Sequence, residues 1–282
     1  MTEQDAISWP APAKLNLMLR IVGRRDDGYH LLQTVFQFLD HSDRLCFRIR
    51  DDGVIRRCNP LRGLPEAKDL AVRAARLLQQ QTGVSLGADI ELRKCLPMGA
   101  GLGGGSSDAA TTLVALNHLW KCGLSAARLA QIGLSLGADV PVFVGGVAAW
   151  GEGVGERLEP LELPEPWYLV LIPPCHISTA EIFSAPDLTR DSGRIKIRDF
   201  LAGSVENDCL SVVCSRYPQV AAALKWLGRF ADARLTGTGA AVFAAFESEQ
   251  AADRVKAQAP DDYQFFVARG LNRSPLLELT QV

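Results

Sequence analysis

The stretch PMGAGLGGGSSDAA at residues 97–110 has the residue types that can close a backbone loop around an anion. Its five glycines, between residues 99 and 105, allow several backbone N–H groups to converge on one point. A helix-like apolar run follows at once, so unsatisfied N–H groups and a positive dipole end face the same point. The hydroxyls of Ser106 and Ser107 can contact phosphate or a metal-bound water. A plain turn with Ser106 as N-cap needs fewer glycines, and the pattern therefore favours phosphate binding.

The common phosphate-binding motifs do not explain this loop. Gly99, Gly101 and Gly104 match G-x-G-x-x-G, but a dinucleotide site also needs an acidic residue about 20 positions later, after a second strand. Here the residues near 120 end one helix and another helix follows. A Walker A loop ends in Gly-Lys-Ser or Gly-Lys-Thr, whereas Gly105 is followed directly by serine. The VAIK, HRD and DFG motifs of protein kinases are also missing from the sequence.

Lys14 and Asp139 carry charges that phosphoryl transfer to an alcohol requires, namely a carboxylate near the hydroxyl and a cation near the developing charge. Lys14 begins the alternating stretch KLNLMLRIV, so its charge needs a partner if that strand is buried. Asp139 follows Gly137 and precedes the apolar stretch at 140–144. The residues alone leave a second interpretation open, in which the lysine is solvated and the aspartate merely belongs to a turn.

The elements that position these residues mix strands and helices without a regular βαβ alternation, which predicts an α+β fold. Strands are predicted at 14–22, 44–50, 88–94, 167–174 and 263–270, with a loop followed by a strand at 235–246. Helices are predicted at 69–83, 107–123, 125–137, 217–230 and 248–259. Capping residues support two helices, with Asp69 and Gly83 bounding the first and Ser125 and Gly137 bounding the third. The alternating leucines of the first strand predict that only one of its faces is buried. A Gly-, Pro- and Glu-rich stretch at 146–166 suggests a boundary between domains 1–155 and 156–282.

Composition narrows the class of protein. The chain has 282 residues, 48% of them hydrophobic, and a net charge of −2, which argues against a broad nucleic-acid or anionic-membrane surface. Its seven cysteines form no CxxC pair and its four histidines no metal-ligand spacing. We therefore expect reduced thiols, a cytoplasmic protein and no resident metal. The polar N-terminus does not resemble a signal peptide, and no apolar run reaches the about 18 residues of a membrane span.

Three stretches together resemble the motifs of the GHMP small-molecule kinases: PAKLNL at 12–17, PMGAGLGGGSSDA at 97–109 and LTGTGAAVF at 235–243. The resemblance implies an ATP-dependent kinase with two α+β domains, the first similar to ribosomal protein S5, and an active site in the cleft between them. The sequence departs from the family pattern at Ala100, where the family usually has glycine, and at Thr236, where serine is usual. Further matches at 24–30, 137–143 and 207–210 fit best the branch that phosphorylates a cytidine diphosphate sugar alcohol.

The resemblance implies a role for each matched residue. Lys14 and Asp139 would be the catalytic pair, His30 would read the edge of cytosine, and Tyr29 and Phe183 would stack on that base. The other substrate-binding residues would be Asn16, Thr179, Gly237 and Gly239. The ATP site would comprise Lys94 and the loop residues Pro97, Met98, Gly99, Ala100, Gly101, Leu102, Gly103, Gly104, Gly105, Ser106 and Ser107.

Several of these assignments compete with structural ones. From the residues alone, Asn16, Lys94 and the Tyr29–His30 pair also fit packing roles, and Asp108 fits a helix N-terminus. Asp69 occupies a position where the family often places an asparagine against adenine. Mg²⁺ would arrive with ATP, held by its phosphates and by Ser106.

Alternatives remain open for the activity and the assembly. The chain could be a homoserine or mevalonate type of GHMP kinase, or a non-catalytic, ligand-sensing member of the fold. We expect a monomer or weak homodimer that acts on a small molecule, with no nucleic-acid or membrane partner.

Overall fold

The computed structural model describes residues 7–260 and 262–279. Its strands are β1 (Trp9–Arg24), β2 (His30–Arg50), β3 (Ile55–Arg57), β4 (Gly87–Arg93), β5 (Ala149–Gly153), β6 (Arg157–Pro160), β7 (Trp167–Ile172), β8 (Arg234–Leu235), β9 (Val242–Phe246) and β10 (Gln264–Leu271). Its helices are α1 (Leu70–Thr82), α2 (Gly104–Leu119), α3 (Ala126–Leu134), α4 (Val140–Gly145), α5 (Thr179–Ser184), α6 (Ile197–Leu201), α7 (Leu210–Arg216), α8 (Pro218–Leu227) and α9 (Glu249–Lys256). Short 3₁₀ turns lie at Glu66–Lys68 and Pro275–Leu279. In the described part of the chain no helix is long and apolar enough to cross a membrane.

One sheet runs through both halves of the chain, in the order β3-β4-β2-β10-β7-β9-β8. The long strand β2 organises it, because β1, β4, β5 and β10 all pair with β2 in antiparallel fashion. Gly270 and Leu271 of β10 pair with Leu39 and Phe38, which joins the C-terminal strands to β2. The sequence analysis recognised only the last seven residues of β2. The early part of this strand lacks the simple alternation of a half-buried strand because both of its faces are covered.

Strand β1 is buried on both faces, so the prediction of a half-buried strand was wrong. Leu15 and Leu17 pack in a central apolar cluster with Val170 and Phe243 of the C-terminal strands. The opposite face carries Lys14 and Asn16, which are only 3% and 4% exposed. The strand therefore holds two polar side chains that are almost completely buried, where each needs a partner.

The helix boundaries follow the local capping chemistry in part. Asp69 accepts a hydrogen bond from the Ala71 amide, and Gly83 ends α1 with a left-handed φ of 69°, as predicted. Helix α2 begins at Gly104 rather than at 107, so the glycine loop itself forms its first turn. Helix α3 ends at Leu134, before the predicted Gly137, and Gly133 packs directly against the side chain of Val140. Helices α4, α5, α6 and α7, which are all short, were not predicted from the sequence.

Candidate active site

A single cavity of about 830 Å³ receives almost all of the sequence-selected residues. Strand β1, the start of β2, the glycine loop, α5 and the loop after β8 all contribute to its walls. Two selected residues do not line it. The side chain of Ser107 is fully buried. A Cβ at Gly239 would contact the side chains of Leu235 and Ile177 rather than the cavity.

The glycine loop uses the conformations that only glycine adopts readily. Gly99, Gly101 and Gly103 have φ values of 71°, 78° and 75°. A Cβ at Gly101 would lie 2.7 Å from the carbonyl oxygen of Thr236, and one at Gly103 would lie 2.7 Å from Cζ of Phe143. No side chain of the described residues caps α2, so the amides of its first turn remain available to an anion. The loop geometry therefore suits the phosphate-binding role that its sequence suggests.

Ala100 fits the loop without the backbone freedom of glycine. Lys121 is the one non-glycine residue with positive φ in the described ranges, so Ala100 does not adopt the left-handed conformation. Its methyl group is buried in the central cluster, and its carbonyl accepts a hydrogen bond of 3.0 Å from the Ala241 amide. Alanine at this position anchors the glycine loop to the start of β9.

Lys14 and Asp139 meet at the cavity wall, with Nζ 3.2 Å from Oδ2. The ammonium also donates to Oδ1 of Asn16 and, at 3.0 Å, to the carbonyl of Gly101. Asp139 occupies the N-cap position of α4, but its side chain caps no amide and its backbone is helical. The carboxylate is therefore directed to Lys14 and the cavity rather than to its own helix.

A network of hydroxyl and amide groups orients Asn16. Its Nδ2 donates to Oγ1 of Thr34 at 2.8 Å, and the Thr34 hydroxyl donates to the Met18 carbonyl. Its backbone amide donates to Oγ1 of Thr236 at 2.9 Å. Because Nδ2 is engaged in this way, Oδ1 faces Lys14. Thr34 was not among the predicted site residues. The hydroxyl of Thr236 accepts its hydrogen bond from β1.

The loop after β8 approaches the side chains of Lys14 and Asn16. Gly237 lines the cavity with a φ of 58°, and a Cβ there would lie 3.1 Å from Oδ1 of Asn16. The hydroxyls of Thr179 and Thr238 share a hydrogen bond of 3.0 Å, which links this loop to the start of α5. The third glycine-containing stretch thus closes the cavity beside Lys14.

At another part of the wall His30 stacks on Phe183, with ring centroids 5.0 Å apart and planes at 24°. Nε of Arg190 donates to Nε2 of His30 at 3.1 Å. Burial, followed by the positive charges of Arg190 and Arg24, lowers the pKa of His30. Tyr29 is 63% exposed at the mouth of the cavity. Arg190 was not among the predicted site residues, since the stretch around it carries no motif.

Lys94 is held by two carboxylates beneath the first turn of α2. Its ammonium donates to Asp43 and, at 2.7 Å, to Asp108. Burial opposes the charge of Lys94, but the two carboxylates outweigh it and raise its pKa. Burial raises the pKa of Asp108 to about 8, assisted by the negative charge of Asp43 and opposed by Lys94. Within the described residues, Oδ1 of Asp108 and Oγ of Ser107 are buried without a hydrogen-bond partner.

Asp69 lines the far end of the cavity, but both of its oxygens are already bound. Oδ1 accepts from the Ala71 amide at 2.9 Å, and Oδ2 accepts from Nη1 of Arg57 at 2.7 Å. Leu64, Lys68 and Leu70 line the same cavity. Asp69 is therefore a helix cap within a buried ion pair.

Two family models and several curated relatives match this chain. Residues 69–147 match the model of the GHMP kinases N terminal domain, and residues 197–264 match that of the GHMP kinases C terminal domain. A protein of Nitrosococcus oceani named 4-diphosphocytidyl-2-C-methyl-D-erythritol kinase is 60% identical over 96% of both chains. A protein of the same name from Pseudomonas aeruginosa is 59% identical over 96% of both chains.

Solved structures extend the likeness to the fold. A crystal structure of 4-(cytidine 5'-diphospho)-2C-methyl-D-erythritol kinase has a TM-score of 0.81 at 31% identity, covering 94% of this chain and 99% of its own. A mevalonate kinase crystal structure, at 14% identity, shares the fold with a TM-score of 0.68, covering 95% of this chain and 100% of its own.

Proposed function

The chain belongs to the GHMP kinase family, and from that premise we propose that it transfers the γ-phosphoryl group of ATP to the 2-hydroxyl of 4-diphosphocytidyl-2-C-methyl-D-erythritol. The products are the 2-phosphate and ADP, a step of the non-mevalonate isoprenoid pathway. The observation that carries the proposal is the Lys14–Asp139 pair, which faces the same cavity as the glycine loop and the His30–Phe183 stack. Relatives of this name at about 60% identity support the choice of substrate.

In this proposal the triphosphate lies along residues 97–107, where backbone amides and the start of α2 supply positive potential. Lys14, which also donates a hydrogen bond to the carbonyl of Gly101, stabilises the charge that develops on the γ-phosphate. The substrate oxygen attacks the γ-phosphorus, the bond from that phosphorus to the bridging oxygen breaks, and ADP leaves. Asp139 accepts or orients the hydroxyl proton.

We place the cytidine on the other part of the wall. Its base stacks between Tyr29 and Phe183, and His30 reads its edge, while Asn16, Thr179 and Gly237 line the path to the reacting hydroxyl. Aromatic faces on both sides hold a planar base at little entropic cost because few torsions are frozen.

Mg²⁺ fits this site as an ion that enters with ATP. No three His, Cys, Asp or Glu side chains of the described residues cluster to hold a metal, whereas the Ser106 hydroxyl lines the cavity beside the first turn of α2. Phosphate oxygens and Ser106 would hold the ion, which would neutralise charge on the transferring group. The seven unpaired cysteines are consistent with a cytoplasmic enzyme, and we propose a monomer or weak homodimer.

An ADP-release assay tests the function. We expect turnover with the cytidyl substrate and none with homoserine or mevalonate, and a new phosphate monoester in the product by ³¹P NMR. Turnover with homoserine or mevalonate instead would assign the chain to another GHMP kinase activity. ATP binding without transfer to any of the three would favour a ligand-sensing protein.

A further inference from the structure

Arg190 lies in the stretch after α5 and contacts the imidazole ring of His30, which reads the edge of the base in the proposed function. Resting on that function, we propose that Arg190 is a positioning residue. It fixes His30 as an imidazole with its proton on Nδ1, so that the base pocket presents a hydrogen-bond donor to the pyrimidine.

The direction of one hydrogen bond carries this inference. Nε of Arg190 lies 3.1 Å from Nε2 of His30. A guanidinium only donates and keeps its protons in proteins, so Nε2 must accept and cannot carry a proton. The single proton of the neutral ring is then on Nδ1. Since Nδ1 has no partner among the described residues and His30 lines the cavity, that donor is left for a ligand.

Arg190 is itself held firmly by the backbone around the end of α5. Nη1 donates to the carbonyl of Leu188 at 3.0 Å, and Nη2 donates to the carbonyls of Phe183 at 3.1 Å and Ala185 at 2.5 Å. One guanidinium therefore connects the main chain of Phe183 with the ring of His30. The side-chain rings of Phe183 and His30 stack on each other. Lysine has neither the planar fork nor enough donors in fixed directions to replace it.

The charges around His30 keep it neutral. Arg24 of β1 pairs with His30 in the sheet register, and Arg190 approaches from the stretch after α5. Asp27, in the adjoining turn, binds Arg25 at 2.7 Å and the Tyr29 amide at 3.2 Å. Glu181 of α5 accepts from the Tyr217 hydroxyl. With burial and two arginines disfavouring the imidazolium, the pKa of His30 is lowered.

A fixed donor has a consequence for base selection. Cytosine presents acceptors at N3 and O2, whereas N3 of uracil carries a proton. The Nδ1–H group of His30 therefore matches the acceptor edge of cytosine and opposes N3–H of uracil. Arg190 would contribute to specificity without touching the substrate.

The tautomer can be observed directly by long-range ¹H–¹⁵N NMR of the histidine rings in the full-length protein. The chain has four histidines, and the His30 signals are assigned by their loss in His30→Gln. We expect the Nδ1–H form in the wild type and a shift towards Nε2–H in Arg190→Met. An Nε2–H ring in the wild type would overturn the proposal whatever the activity of the chain.

Kinetics supply a second readout, with Arg194→Met as the control. Arg194 is exposed and pairs, within the described part of the chain, with Glu152 at 3.5 Å. In Arg190→Met we expect KM for the cytidyl substrate to rise about tenfold, with KM for ATP unchanged. We also expect partial recovery of that KM from about pH 8 to about pH 6, because a protonated His30 carries Nδ1–H again.

Two results would assign Arg190 a merely structural role and overturn the proposal. These are equal losses for both substrates, and the absence of recovery at acid pH. If the wild type fails to phosphorylate the cytidyl substrate, the proposed function fails, and the NMR measurement still decides the tautomer.

Discussion

Nζ of Lys14 lies 3.2 Å from Oδ2 of Asp139, and the same ammonium donates to the carbonyl of Gly101. One buried cation therefore touches both the carboxylate and the glycine loop. Because Lys14 is only 3% exposed, the pair is a fixed feature of the cavity wall rather than a surface ion pair. This arrangement sets the first prediction, since it places the carboxylate of Asp139 and the glycine loop on either side of one charge.

Asp139→Asn should lower kcat by about a hundredfold to ten-thousandfold while KM for ATP changes little, because the carboxylate acts on the acceptor hydroxyl. The measurement is steady-state kinetics with each substrate varied in turn. Asp232→Asn is the matched control, since Asp232 is a surface carboxylate paired with Arg234. A near-normal kcat in Asp139→Asn would remove the assigned role.

Tyr29→Ala should raise KM for the cytidyl substrate by about 5-fold to 150-fold and leave KM for ATP unchanged, since stacking on a base contributes about 1–3 kcal/mol. The side chain is 63% exposed, so its removal opens no core cavity and the protein should stay folded. Tyr29→Phe keeps the ring and should behave as the wild type. Equal losses for both substrates would refute the stacking assignment.

Gly103→Ala should destabilise the protein more than Gly63→Ala and should also lower kcat. Both glycines have left-handed φ, 75° and 77°, so each substitution costs about 1–2 kcal/mol in backbone strain. A Cβ at Gly63 meets nothing within 4 Å, whereas one at Gly103 lies 2.7 Å from Phe143 Cζ and 3.1 Å from Lys14 Cε. Denaturant unfolding and kcat measure the two effects. Equal unfolding free energies in the two variants would contradict the packing argument.

As the pH rises from about 5 to about 9, the free energy of unfolding of Asp108→Asn should increase relative to that of the wild type. In the folded chain burial raises the pKa of Asp108 from its ordinary 3.8 to about 8. Between these values the folded state binds more protons than the unfolded state, so this carboxyl makes the free energy of unfolding fall as the pH rises. Asparagine has no such proton. Thermal unfolding of both proteins at the two ends of the range checks the prediction, and parallel pH profiles would contradict it.

Local chemistry explains why part of the site could be predicted. The caps at Asp69 and Ser125 and the left-handed Gly83 depend on a few neighbouring residues, and the structure has them as expected. The short helices α4 to α7 could not be predicted in this way, because their packing rather than their own periodicity stabilises them. Asp69 illustrates the limit, since its capping role was visible but its pairing with Arg57 was not.

The sequence by itself determined that the chain has a glycine-rich loop before a helix, a lysine that needs a partner and the ordered motifs of its family. Only the tertiary structure decided that β1 is buried on both faces, that Thr34 and Thr236 orient Asn16, and that Arg190 binds His30. The physical reason is the range of the interactions. Backbone conformation and capping are fixed within one turn, whereas hydrogen bonds such as Arg190–His30 join residues far apart in the chain, and only the folded sheet brings them together.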